Sequence, residues 1–165
     1  MKIVFNQPVS FNGSIVSVAI PETPVDFEKY YQLRWEILRK PWEQPRGSEL
    51  DSFEKEAQHF CLVADDDLLG VARVQMNDGS EAQIRFMGIA EKFRGNSFGN
   101  LLLHHCERAA LNYEAKSVFL QARENAVPFY QRNGYAILEK TFLLFNTIQH
   151  FSMRKTLSQL HKTTI

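Results

Sequence analysis

The chain has 165 residues, is 44% apolar, and balances nineteen basic against nineteen acidic residues for a formal net charge of zero. That length fits one domain with one core. The missing basic excess argues against a protein built to grip nucleic acid, and no apolar run reaches the ~18 residues that span a bilayer.

Near-zero charge gives little mutual repulsion, so either a monomer or a homodimer is expected. Two cysteines, Cys61 and Cys106, are too few for a disulfide framework and read as small core thiols. No N-terminal stretch combines a basic flank, an apolar run and a small-residue cleavage site. A cytoplasmic setting is the expectation.

In chain order, residues 15–20 (IVSVAI) alternate and branch at Cβ, which predicts a strand ended by Pro21 and Pro24. Asp26 can cap a helix bearing Phe27, Tyr31, Arg34, Trp35 and Leu38, and Pro41 stops it. Residues 41–47 (PWEQPRG) read as a loop. Ser48 and Asp51 resemble a capping box opening a short helix to about Gln58. Residues 59–64 and 68–76 read as a strand pair. Asp65, Asp66 and Asp67 form a solvated turn between them, since no further ligand spacing accompanies them. Asn77, Asp78 and Gly79 make a second turn before a strand at 82–90. Phe98, Leu101, Leu102, His105, Cys106, Ala109 and Tyr113 then recur at helical spacing. A strand at 117–122, a short helix at 125–133 with Pro128 in its first turn, and Gly134 after it follow. Strands near 135–142 and 145–154 come last, with a frayed tail from Lys155. His104 and His105 are adjacent on one helix, face different directions and make poor metal ligands; no metal is expected. The order is α/β, with hairpins in the middle that imply a mixed sheet.

Residues 84–103 (IRFMGIAEKFRGNSFGNLLL) read as strand, glycine-bearing loop and helix. Arg94, Gly95, Asn96, Ser97, Phe98, Gly99 and Asn100 sit where loop becomes helix. Backbone amides at a helix start lack an internal partner, and the helix dipole adds positive charge there. Glycines let the backbone approach an anion closely. This pattern is either a pyrophosphate cradle or simply a tight turn. It lacks the Gly-Lys-Ser/Thr ending of a P-loop.

The segment resembles the coenzyme A motif of the GCN5-related N-acetyltransferase (GNAT) family, Arg/Gln-x-x-Gly-x-Gly/Ala. Arg94 fills the first position and Gly99 the last, while Ser97 stands where the middle glycine is expected. Residues 121–135 (QARENAVPFYQRNGY) resemble the family's second motif, with Asn125, Tyr130, Gly134 and Tyr135 in register. Residues 30–48, 84–88 and 148–155 resemble the acetyltransferase half of a bacterial two-part protein in which a thioesterase-like hotdog domain follows; a free-standing version is expected here.

The resemblance implies a GNAT fold spanning 1–155 with a tail at 156–165. Its central sheet of about six to seven strands would be splayed in the middle and flanked by about four helices. It implies acetyl-CoA as co-substrate and direct attack of an acceptor, expected to be a small-molecule or peptide amine, on the thioester carbon. An acyl carrier protein is a further possible partner. Met87 and Ile89 would bond the pantetheine arm, with Gly88 leaving space. Residues 94–100 and Asn125 would hold the rest of the cofactor, and Tyr130 would be the acid for the departing thiolate. Glu81, with Asp78 nearby, is the acidic candidate for a base, against a reading as solvated hairpin charge. Arg34 and Arg39, with Gln44, would shape an acceptor pocket, against a reading as salt bridges. His150 would line the acceptor side or be a buried, hydrogen-bonded histidine. Thioester decarboxylation or hydrolysis on the same fold, and non-catalytic acyl-CoA binding, are the alternatives.

Overall fold

The computed structural model describes residues 1–77 and 79–158, the side chains of 6–10 excepted. Asp78 and the end of the expected tail therefore lie outside the described residues. Eight strands occur among the described residues: β1 (Lys2–Phe11), β2 (Ser14–Ile20), β3 (Gln58–Ala64), β4 (Asp67–Met76), β5 (Glu81–Ile89), β6 (Ser117–Arg123), β7 (Ala136–Leu144) and β8 (Ile148–Thr156). Three α-helices accompany them: α1 (Pro24–Leu38), α2 (Phe98–Asn112) and α3 (Val127–Arg132). Hydrogen bonding orders the sheet β1-β2-β3-β4-β5-β6-β8-β7. It is mixed, because β5 and β6 run parallel whereas β2–β3, β3–β4 and β6–β8 are antiparallel.

Two expectations are corrected. The sheet has an added strand, β1, and the helix expected at 48–58 is a run of turns. Its acids explain the second difference. Asp51 and Glu54 bond buried arginines from other elements, so tertiary pairing overrides a locally helical sequence. The cap of α1 also shifts. Thr23 is the N-cap, its hydroxyl accepting from the Asp26 amide at 3.2 Å, and the Asp26 carboxylate in turn accepts from the Thr23 amide at 3.1 Å. This reciprocal box satisfies two amides that helix geometry leaves orphaned.

The chain forms two compact units, Met1–Val74 with Phe86–Cys106, and Gln75–Arg85 with Glu107–Ile165. In the first, Ala19, Tyr30, Cys61 and Val71 are fully buried together. Each large apolar side chain so enclosed contributes roughly 1.5–3 kcal/mol. The Tyr30 hydroxyl donates to the Ala72 carbonyl at 3.0 Å, and burial pushes its phenol well above the ordinary value. Burial likewise pushes the Cys61 thiol up to about 12, which makes it an inert core group.

In the second unit, β5 pairs with β6 from Glu81–Ser117 to Ile84–Leu120. Strand β8 pairs on one side with β6 and on the other with β7. Glu107 and Lys155 form a largely enclosed ion pair at 2.9 Å. Strand β7 lies at the sheet edge, most of its residues are exposed, and its register against β8 slips twice.

Candidate active site

The expected site residues fall on both units. Arg34, Arg39, Met87, Ile89 and 94–100 belong to the first; Glu81, Asn125, Tyr130 and His150 belong to the second.

In the first unit the central feature is the end of β5. Burial alternates along this strand as far as Ile84 and then stops alternating. Phe86 lies just beyond, in the left-handed region at φ 51. For a bulky residue that is a true outlier, costing on the order of 1–3 kcal/mol. A left-handed residue breaks the two-residue period of a strand, and Met87, Gly88 and Ile89 follow it directly.

Gly88 is packed against α1. A Cβ built on it would meet Cγ2 of Ile37 at 2.8 Å. Gly88→Ala must therefore push α1 or β5 aside. It is expected to cost about 1–3 kcal/mol, read in a urea melt. On the other side, the Ala90 amide donates to the Leu69 carbonyl at 2.9 Å.

The loop after β5 is fixed at both ends by aromatic residues. Phe93 and Phe98 are buried, and both rings meet Phe11 edge-on, at 5.7 and 5.4 Å between centroids. Between them the backbone turns through two left-handed residues, Gly95 at φ 83 and Ser97 at φ 61. Nothing lies within 4 Å of a Cβ built on Gly95, so that face of the loop is open. The Asn96 side chain folds back, donating to the Phe93 and Arg94 carbonyls at 3.1 and 3.2 Å. Arg94 is exposed, and its Nε donates to the Ile89 carbonyl at 3.1 Å. The Ser97 carbonyl accepts from the amides of Asn100 and Leu101, which starts α2. A helix start of this kind turns backbone amides outward, the arrangement that binds anions.

Arg34 and Arg39 sit at the start and end of a polar cluster under β5. Arg34 is fully buried. Its guanidinium donates through Nε to the Glu49 carbonyl at 2.8 Å and to Glu54 at 2.5 and 3.1 Å, with a further short bond to Glu49. Burial works most strongly against its charge, but the hydrogen bonds and charge interactions with Glu54 and Tyr30 together outweigh it and raise its pKa. Arg73, also fully buried, forks onto Asp51 at 2.6 and 2.9 Å and shares Glu54 at 2.6 Å. Arg39 donates to the carbonyls of Ser48 at 2.9 Å and Leu38 at 3.0 Å. Gln44 is tied to Trp35 and Trp42. Three guanidinium carbons surround the Phe86 ring, Arg34 at 4.0 Å, Arg73 at 4.9 Å and Arg39 at 5.4 Å from its centroid.

In the second unit, Tyr130 is nearly buried in α3, its ring edge-on to Phe129 at 5.0 Å and Tyr135 at 5.6 Å. Its carbonyl accepts from the amides of Asn133 and Tyr135, which closes the helix onto Gly134 at φ 87. Asn125 is exposed on the 3-10 turn Glu124–Ala126. Glu81 pairs with Arg154 at 2.7 Å and accepts from Ser117 at 3.4 Å. His150 is buried, contacts the Ile148 carbonyl at 2.9 Å through Nδ1, and stacks on Phe142 at 4.6 Å.

The sequence pattern of the Acetyltransferase (GNAT) family matches residues 27–135. The chain belongs to the GNAT family. A curated relative, the uncharacterized N-acetyltransferase YjcF of Bacillus subtilis (strain 168), is 28% identical over 125 residues, covering 76% of this chain and 89% of that protein. Among solved structures, an acyl-CoA N-acyltransferase from Pseudomonas aeruginosa superposes with a TM-score of 0.75 at 21% identity, covering 87% of this chain and 99% of that one. A Bacillus subtilis acetyltransferase in complex with CoA superposes with a TM-score of 0.67 at 15% identity, covering 86% and 98%. The GNAT fold and an acetyl-CoA-dependent N-acetyltransferase activity follow from family membership.

Within this GNAT domain, Ser97 keeps the backbone conformation that the family's middle glycine adopts without strain. The left-handed region costs a side-chain-bearing residue about 1–2 kcal/mol. Glycine loses roughly 0.5–1 kcal/mol more backbone entropy on folding. Ser97→Gly should therefore gain a net ~0.5–1 kcal/mol in denaturant melts.

Sequence reading did not find Phe86, Arg73, Asp51 or Glu54. Their charges are spread over β4 and a turn segment, so no local spacing announces the cluster.

Proposed function

We propose that this GNAT enzyme transfers acetyl from acetyl-CoA to an amine, of a small molecule or a peptide, by direct attack. The observation that carries this reading is the open left-handed turn at Gly95 and Ser97 leading into α2, immediately after the kinked end of β5. Amides opening α2 suit the pyrophosphate, with Arg94 and Asn100 flanking it. Backbone groups of Met87 and Ile89 take the pantetheine arm, and an amide there faces the thioester oxygen. Such a donor stabilises the negative oxygen of the tetrahedral intermediate more than the starting carbonyl. Asn125 adds a cofactor contact from the family's second motif.

The amine lone pair forms a bond to the thioester carbon. The intermediate collapses with breakage of the carbon–sulfur bond, and the departing thiolate takes the phenol proton of Tyr130. The ammonium proton leaves through water. We do not assign its removal to Glu81. Arg154 already occupies its carboxylate. Nor do Arg34 and Arg39 serve as direct acceptor contacts in this reading. Arg34 is enclosed and committed to Glu49 and Glu54, and Arg39 is turned onto main-chain carbonyls. The contacts of His150 support the buried, hydrogen-bonded reading.

The test is incubation with acetyl-CoA and a panel of primary amines, scored by release of free thiol, beside calorimetry with CoA. Amine-dependent thiol release is expected. Absence of both release and CoA binding refutes the proposal.

A further inference from the structure

We infer that Arg34, Arg73 and the carboxylate they share, Glu54, are positioning residues for the thioester, acting through the Phe86 ring. The inference rests on the reading that the end of β5 takes the pantetheine arm. Phe86 is the residue whose backbone leaves the strand conformation, and Met87, Gly88 and Ile89 follow it directly. A left-handed phenylalanine persists only where its surroundings over-determine it. Here the surroundings are unusual. Two fully buried guanidiniums and a third, half-buried one surround one ring.

Three like charges would repel one another if left alone. Glu54 bridges Arg34 and Arg73, and Asp51 takes a fork from Arg73, so the cations are held in place against the ring. Arg34 is anchored from below by the Glu49 carbonyl, and the Glu49 carboxylate accepts from the Gly47 amide at 2.8 Å. The ring thus has little choice of position, and the backbone that carries it has little choice of torsion. Loosening the clamp lets Phe86 relax toward an ordinary strand conformation. That relaxation rotates the peptide groups of Met87 and Ile89 away from the arm while leaving the turn at Gly95 and Ser97 untouched.

The experiment separates the two halves of coenzyme A. Calorimetry measures acetyl-CoA, which reaches β5, and 3′-phospho-ADP, which carries the phosphates but no arm. The variants are Phe86→Leu, which keeps apolar bulk but removes the ring, and Glu54→Gln, which keeps a hydrogen-bond acceptor but removes the charge. Expected is a loss of at least tenfold in acetyl-CoA affinity, with 3′-phospho-ADP affinity changed less than twofold. A residue that merely keeps the domain folded would weaken both ligands alike. Equal losses, or no loss of either, in whichever variant keeps a cooperative melt overturn the inference. Wild-type protein that binds neither ligand sinks the underlying cofactor reading, and the clamp with it.

Discussion

Replacing Tyr130 by phenylalanine is expected to lower the turnover of amine acetylation by about 100-fold while leaving acetyl-CoA affinity within about twofold. A positioned acid or base typically contributes 10²–10⁴ in rate, and the phenol proton is what Tyr130 is proposed to supply. The substitution removes one oxygen and keeps the ring, so the edge-on packing against Phe129 and Tyr135 survives. Stability should fall by no more than the ~1.5 kcal/mol of one hydrogen bond. The separation matters, because an aromatic ring that only filled space would leave turnover intact. Steady-state thiol release, calorimetry and a thermal melt on the same preparation decide it. An unchanged turnover number removes Tyr130 from the chemistry.

Arg73→Ala is expected to cost about 3–5 kcal/mol of folding stability, the usual penalty for breaking a buried ion pair from one side. Its guanidinium is fully enclosed and neutralises Asp51 and Glu54 together. Removing it strands two carboxylates beside the remaining cation and leaves a cavity under Phe86. Arg73→Lys should recover only part of the loss, because an ammonium cannot fork onto Asp51 and reach Glu54 at once. Urea denaturation of the three proteins checks the order. A loss under about 1 kcal/mol in Arg73→Ala would mean the carboxylates find other partners at no cost.

Much of this architecture is legible in the chain itself, for identifiable reasons. Strand β3 and the fully buried run of β4 are short apolar segments between turn residues, and α2 repeats its apolar side chains at helical spacing. Asp65 at φ 48 makes the turn that three successive acids suggest. Strand β1 escaped because Asn6, Gln7 and Pro8 interrupt it, and its pairing with β2 slips where they fall. The turns at 48–57 read as helix because local pattern cannot foresee that Asp51 and Glu54 are claimed by Arg73 and Arg34. The glycine-bearing loop at 94–100 was legible because a motif concentrates its residues in one stretch. The cluster under Phe86 was not, because it exists only once α1, the turns and β4 have come together. Nor does any local rule announce a phenylalanine in glycine's region of backbone space.

The outermost strand has a consequence for handling the protein. Strand β7 exposes Ile137, Leu138, Phe142 and Leu143, a composition that invites sticking between molecules. Its ladder to β8 slips between Ile137 and Glu139 and again between Lys140 and Leu143, so the rim is crooked where an incoming strand would need it straight. Glu139 and Lys140 place charge between the two apolar pairs. Crookedness and charge together guard against edge-to-edge polymerisation. Lys140→Val would remove one of those guards, and turbidity on storage is where the change would first be seen.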